Sequence, residues 1–259
     1  MGPDPELSAL ARAADVSGIF CDFDGCLAPI VADPDEARAV DGAEGVLERL
    51  AARFRVVAVV SGRSVADLAR RVRAEGVRLI GVHGMEELRD AELRVAPEAE
   101  EWRASVERAA ARLEGALIAA PDAVLERKGL ALAIHFRRAQ DPEAEERIAA
   151  PLVREAAEAE GLTVVPGRRI LEVRPGAGGD KGDALRRVIA EENLRGAMAG
   201  GDDVGDIPAF AALDGLEVSL RVAVASTESP SELTRSADVV VGSPQEFVAL
   251  LDELARRAV

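Results

Sequence analysis

Gly18-Ile19-Phe20-Cys21-Asp22-Phe23-Asp24-Gly25 is the stretch on which the fold of this chain turns. Its first four residues form a short apolar run, the pattern of a strand buried in a sheet. The run ends in two carboxylates two positions apart, followed by glycine. At the C-terminal end of a strand such residues reach into the loops above the sheet edge, where open α/β sheets bind ligands. Carboxylate, spacer, carboxylate, glycine suits a hard cation with an aspartyl nucleophile beside it. The same tetrapeptide also serves as an ordinary polar turn after a strand. Taken alone it does not decide between the two.

Working outward, the first hundred residues alternate between β-branched runs and amphipathic stretches. The spacing predicts strands at Ile19–Cys21, Val56–Val60 and Val77–Val82, with helices at Asp41–Arg53 and Val65–Glu75. Apolar strands joined by helical crossovers indicate a parallel sheet covered on both faces. From about Pro97 the pattern changes to helix, two strands, helix, two strands. The helices are expected at Glu98–Leu113 and Pro142–Glu160, and the strands at Ala123–Glu126, Leu130–Phe136, Leu162–Val165 and Ile170–Val173. Pro175-Gly176-Ala177-Gly178-Gly179 reads as a flexible joint. Beyond it the alternation resumes, with helices at Lys181–Glu192, Ile207–Leu213 and Pro244–Arg257 and strands at Ala197–Gly200, Val218–Val224 and Val239–Val241. The expected fold is α/β, a Rossmann-like parallel-sheet core of residues 1–97 and 178–259 that carries an inserted α+β domain, 98–177.

Composition narrows the partners. The 259 residues are 48% hydrophobic, enough for a full core. The formal charge of −15 is spread along the chain. Nucleic acid and anionic membranes require basic patches, so neither is expected as a partner. An anionic small molecule remains compatible if the site gathers local positive charge. The two cysteines, Cys21 and Cys26, flank the acidic element and read as reduced thiols. No stretch reaches the length of a membrane span and no basic-then-apolar leader opens the chain, so a cytoplasmic location is expected.

Hydrolysis of a phosphate monoester needs a nucleophile, a cation, fixed positive charge, hydroxyl or amide donors, and a proton for the leaving group. Each has a candidate at a strand end or helix start: Asp22 with Asp24, Ser61 with Arg63, Lys181, and the group Asp202, Asp203 and Asp206. Each also has a bland reading. Ser61-Gly62-Arg63 could be a helix cap and turn, Lys181 a solvated helix residue, and Asp202-Asp203 a turn with a cap. Their joint placement at strand ends favours a site over four unrelated turns.

These motifs together resemble the haloacid dehalogenase superfamily, and more closely its trehalose-6-phosphate phosphatase family. Besides Asp22-Phe23-Asp24-Gly25, the similarity rests on Leu27-Ala28-Pro29-Ile30, Val60-Ser61-Gly62-Arg63 and His83-Gly84-Met85-Glu86. Leu125-Glu126-Arg127-Lys128-Gly129, His135-Phe136-Arg137, the segment Gly167-Arg168-Arg169-Ile170-Leu171-Glu172, and Asp180-Lys181-Gly182 extend it. The resemblance implies a superfamily core with an α+β cap as the insertion, and removal of phosphate from trehalose 6-phosphate with Mg2+ as cofactor. Asp22 would attack phosphorus, and Asp24 would protonate the leaving oxygen and then activate water. Asp22, the Asp24 carbonyl and Asp202 would hold the metal, with Asp203 and Asp206 in support. Ser61, Gly62, Arg63 and Lys181 would form the phosphate-binding set, while Glu126, Lys128, Arg137, Arg168 and Glu172 would contact sugar hydroxyls. In this reading His135 and His83 are structural.

Three departures from the family pattern stand out. Cys26 replaces the usual threonine, the last acidic motif reads Gly201-Asp202-Asp203-Val204-Gly205-Asp206-Ile207-Pro208, and Arg168 stands where lysine is usual. An arginine fork is not equivalent to an ammonium, so a phosphatase for sucrose 6-phosphate or a pseudo-disaccharide phosphate stays open. So does a non-catalytic sugar-phosphate-binding protein that has kept the fold.

Overall fold

The computed structural model describes residues 4–31, 33–167, 169–175, 180–226 and 229–258. Two compact units emerge from the chain's internal contacts: Met1–Arg94 with Gly179–Val259, and Val95–Gly178.

The first unit is built on an eight-stranded sheet. Its strands are β1 (Ser17–Cys21), β2 (Val56–Val60), β3 (Arg78–Gly81), β4 (Glu86–Arg89) and β5 (Glu92–Val95). Three further strands come from beyond the second unit: β10 (Gly196–Gly201), β11 (Val218–Val224) and β12 (Val239–Val241). The order is β12-β11-β10-β1-β2-β3-β4-β5. All pairings from β12 to β3 are parallel, and β4 returns antiparallel to β3. Every residue of β1 and β2 is buried, as expected of strands covered on both faces.

Alternation along the strands divides the core in two. Ile19, Val57, Val59, Met198 and Val222 pack with helices α1 (Asp4–Arg12), α2 (Ala43–Ala51) and α9 (Pro244–Arg257). Phe20, Ala58, Val60, Ala197 and Ala199 pack with α6 (Lys181–Glu192), α7 (Ile207–Ala211) and α8 (Ser231–Ser236). The parallel α/β core read from the sequence is therefore present. Its two halves meet at the β1–β10 pair, where strand order reverses direction around β1. That is the switch point at which such sheets form ligand crevices.

Local differences from the sequence reading have physical causes. Helix α3 (Val65–Arg71) stops four residues earlier than its periodicity predicts. Val72 takes an extended backbone and places its side chain in the core, which ends the helix. The hairpin of β4 and β5 went unread. It turns at Asp90 and Ala91, both with positive φ, in place of the Asn-Gly or Asp-Gly pair that marks such turns. Its strands also carry mostly charged residues.

The second unit contains α4 (Pro97–Ala116), β6 (Val124–Arg127), β7 (Leu132–His135), α5 (Pro142–Glu158), β8 (Leu162–Gly167) and β9 (Ile170–Pro175). Its sheet is antiparallel in the order β6-β7-β9-β8. Leu132, Ile134, Leu171 and Val173 form one core with Val106, Leu113 and Val153 of the helices. The alternate positions place Glu126 and Glu172 in register with Ala133 on the opposite face. Among the described residues no helix is long and apolar enough to cross a membrane.

Candidate active site

Parallel pairing of β1 with β10 sets Cys21 against Gly200, so Asp22 and Asp202 leave the sheet side by side. The ladder continues one step, with the Asp22 N–H donating to the Gly200 carbonyl at 3.1 Å. Gly25 then makes the turn at φ +84°, and a Cβ at that position would lie 2.2 Å from Cγ of Asp202. Only glycine provides both the left-handed backbone and the room for the second acidic loop. The glycine of the opening motif is thus accounted for by a close approach.

Asp22, Asp202 and Asp206 each offer a carboxylate oxygen, and these atoms lie within 4.8 Å of one another. Lys181, the first residue of α6, sends its Nζ to Asp22 Oδ1 at 2.9 Å and to Asp206 Oδ1 at 2.6 Å. The Asp180–Asp183 capping box fixes that helix start. Asp206 Oδ2 accepts from the N–H groups of Asp202 at 2.9 Å and Asp203 at 3.1 Å. Both Asp206 oxygens therefore brace the site, while Asp22 and Asp202 carry less of the hydrogen bonding.

Charge in this cluster is out of balance. Burial pushes the Asp22 carboxyl up to about 7; Lys181 opposes the rise, and Asp206 and Asp24 add to it. Burial, then Asp22 and Asp206, hold Asp202 well above the usual carboxylate range. Burial alone would lower Lys181, but Asp206 and Asp22 outweigh it and hold the ammonium charged. A crowd of hard carboxylate oxygens with one ammonium among them is a donor set for Mg2+ or Ca2+. The residues present fit a divalent cation.

Asp24 and Asp203 are turned elsewhere. Asp203 Oδ1 accepts from the Val204 N–H at 2.7 Å. Asp24 receives the Arg63 guanidinium as a fork, from Nε to Oδ2 at 2.7 Å and from Nη2 to Oδ1 at 2.8 Å. Ser61 is buried between β2 and the next turn, its Oγ accepting from the Arg63 N–H at 3.2 Å. Gly62 lies half-buried in that same loop. Asp22, Asp24, Ser61, Gly62, Arg63, Lys181, Asp202, Asp203 and Asp206 all belong to the first unit.

The expected sugar-contact residues belong to the second. Lys128 Nζ lies 3.2 Å from Glu172 Oε1 and 4.0 Å from Glu126 Oε2. His135 Nε2 sits 2.7 Å from Glu126 Oε2. Arg137 is half-buried just beyond β7, and Arg168 lies outside the described residues. Cys26 is fully buried, and burial followed by the charges of Asp22 and Asp202 holds its thiol up, so it remains protonated. Sequence reasoning passed over Asp67 and Arg71, which back Arg63. Their spacing from it, i+4 and i+8, was the available signal.

Comparison with known proteins gives the family context. The trehalose-phosphatase family profile matches residues 20–241. A trehalose-phosphate phosphatase of Mycolicibacterium paratuberculosis is 36% identical over 265 residues, covering 98% of this chain and 66% of its own. The chain thus spans just under two thirds of that relative's length. The crystal structure of a trehalose-6-phosphate phosphatase related protein superposes with a TM-score of 0.75 at 26% identity, covering 92% of this chain and 97% of the other. The C-terminal domain of a C. albicans trehalose-6-phosphate phosphatase gives 0.77 at 23% identity, covering 97% and 96%. At that lower identity the likeness speaks for the fold.

Proposed function

The chain belongs to the trehalose-phosphatase family of the haloacid dehalogenase superfamily, and from that premise we propose that it hydrolyses trehalose 6-phosphate to trehalose and phosphate with Mg2+ as cofactor. The observation that carries the reading is Asp22, held by Lys181 beside Asp202 at the β1–β10 crevice, with Asp24 two residues on.

Lys181 and the Phe23 N–H both engage Asp22 Oδ1, the latter at 2.7 Å. That fixes the carboxylate plane and presents Oδ2 as the atom that attacks phosphorus, forming an aspartyl-phosphate. Asp24 gives its proton to the departing sugar oxygen, then takes one from the water that releases phosphate. Lys181 and the Ser61 hydroxyl hold phosphoryl oxygens. The carboxylates of Asp22 and Asp202, with the Asp24 backbone carbonyl, would hold Mg2+, which when bound offsets the negative charge shared by nucleophile and phosphoryl group. The charged groups of the second unit, Glu126, Lys128, Arg137 and Glu172, select the sugar through its hydroxyls.

Phosphate release from trehalose 6-phosphate, with and without Mg2+ and beside sucrose 6-phosphate and glucose 6-phosphate, tests the reading. The expected result is Mg2+-dependent release, with kcat/KM for trehalose 6-phosphate higher by about tenfold or more. Asp22→Asn should lower turnover by roughly 10⁴-fold or more while the circular dichroism spectrum stays unchanged. Wild-type turnover in that variant would overturn the mechanism, and a better substrate in the panel would replace the sugar.

A further inference from the structure

Arg63 reads from sequence as a phosphate ligand, yet its N–H groups are directed into the protein. Nε and Nη2 grip Asp24, Nη2 also donates to the Pro34 carbonyl at 3.0 Å, and Nη1 donates to Asp67 Oδ2 at 2.7 Å. The guanidinium carbon lies 5.4 Å from the centroid of the Phe23 ring, which is fully buried between the two aspartates of the motif. A planar fork gripped at both ends and stacked on a ring has little freedom.

Asp67 holds the far end of that fork. Its side chain is 13% exposed, and besides Arg63 it accepts from Arg71 Nε at 2.8 Å and from Arg70 Nη2 at 2.7 Å. Arg71 Nη1 in turn donates to the carbonyls of Ala37 at 2.8 Å and Asp35 at 3.0 Å. Those carbonyls lie in the loop that leaves β1 by way of Asp24. The loop is therefore tied to α3 twice, through Arg63 and through Arg71, and both ties meet at one carboxylate.

We infer that Asp67 is a positioning residue for the proton transfer made by Asp24, acting through Arg63. The inference rests on the proposed role of Asp24 as the acid. Without the Asp67 carboxylate, Nη1 of Arg63 loses its anchor and the fork no longer fixes the plane of Asp24. The Asp22 carboxylate and Lys181 share no hydrogen bond with Arg63, Asp67 or Arg71, so phosphoryl transfer itself keeps its groups.

Leaving-group chemistry separates this role from a structural one. A sugar alkoxide departs only with a proton, whereas 4-nitrophenolate departs without one. The measurement is kcat/KM, which ends at the first irreversible step and so excludes the later action of Asp24 on water. In Asp67→Asn, kcat/KM for trehalose 6-phosphate should fall about tenfold or more, and that for 4-nitrophenyl phosphate should stay within about twofold. An equal fall on both substrates, or no fall on either, overturns the inference. Asp24→Asn is the control and should show the same substrate contrast in larger measure. If it shows none, the reading of Asp24 as the acid fails, a different outcome from failure of Asp67 alone. A double-mutant cycle on trehalose 6-phosphate covers the case in which the aryl ester is turned over too slowly. Asp67→Asn should cost about tenfold in the wild-type background and almost nothing when Asp24 is already Asn. Equal losses in the two backgrounds overturn it as well.

Discussion

Among the described residues, Lys181 is the positive group bonded to both Asp22 and Asp206, and it is itself buried. Removing one member of a buried ion pair leaves uncompensated charge, at a cost of about 3–5 kcal/mol. Lys181→Met should therefore lower the urea midpoint of the metal-free protein by a corresponding amount; an unchanged midpoint would mean that the carboxylates are neutralised in some other way. Asp67 makes a second prediction at this scale, in pH. Burial tends to raise its carboxyl, but the hydrogen bonds from Arg71 and Arg63 outweigh that and bring it down to about 2. A depressed carboxylate stabilises the fold above its unfolded value of about 3.9, and that contribution is lost as pH falls from about 4 toward 2. Asp67→Asn should then be less stable than wild type at pH 6, with the gap narrowing by pH 3. Urea midpoints at the two values check it, and a gap that widens in acid contradicts it.

Helix α6 shows how an element, and not one side chain, places the lysine. Alanine ordinarily favours a helix over glycine by about 1 kcal/mol. At position 182, however, a Cβ would lie 2.3 Å from the Pro208 carbonyl oxygen on α7. Overpacking of this kind costs about 1–3 kcal/mol, so Gly182→Ala should destabilise the protein despite the propensity gain. It should also weaken turnover, because the neighbouring Lys181 moves with the helix start. A rise in the urea midpoint would show instead that α6 shifts freely. Elements such as α6 were legible because local signals agreed: Asp180 caps one end, Asn193 takes the left-handed conformation at the other, and the apolar period lies between. The β4–β5 hairpin was not, because its turn departs from the usual chemistry and its edge strands are charged. The site divides along the same line. Asp22, Ser61, Lys181 and Asp202 stand at element boundaries, where a short motif announces them. The link from Asp24 through Arg63 to Asp67 and Arg71 joins a loop to a helix face, and its partners are named only by tertiary contact.

At the scale of the whole molecule, the groups proposed for the chemistry and those proposed for sugar choice fall in different units of the chain. Every group assigned to phosphoryl and proton transfer lies in Met1–Arg94 and Gly179–Val259, while Glu126, Lys128, Arg137 and Glu172 lie in Val95–Gly178. Each unit has its own apolar core, with Val106, Leu132, Ile134 and Val153 in the second contacting one another. Domains of more than about 60 residues with a core of their own do fold in isolation. Residues 95–178 expressed alone should therefore unfold cooperatively in urea. The complementary protein, with that segment replaced by a flexible Gly-Ser linker, should keep Mg2+-dependent hydrolysis of 4-nitrophenyl phosphate and lose its preference for trehalose 6-phosphate over other sugar phosphates. The aryl ester makes no demand on sugar contacts or on Asp24 as acid, so its kcat/KM reports on the groups proposed for phosphoryl transfer, Asp22, Ser61, Lys181 and Asp202. If the shortened protein folds by circular dichroism yet hydrolyses neither substrate, the second unit contributes to phosphoryl transfer itself and the division of labour is wrong. If it hydrolyses the aryl ester and still prefers trehalose 6-phosphate, sugar selection resides in the first unit.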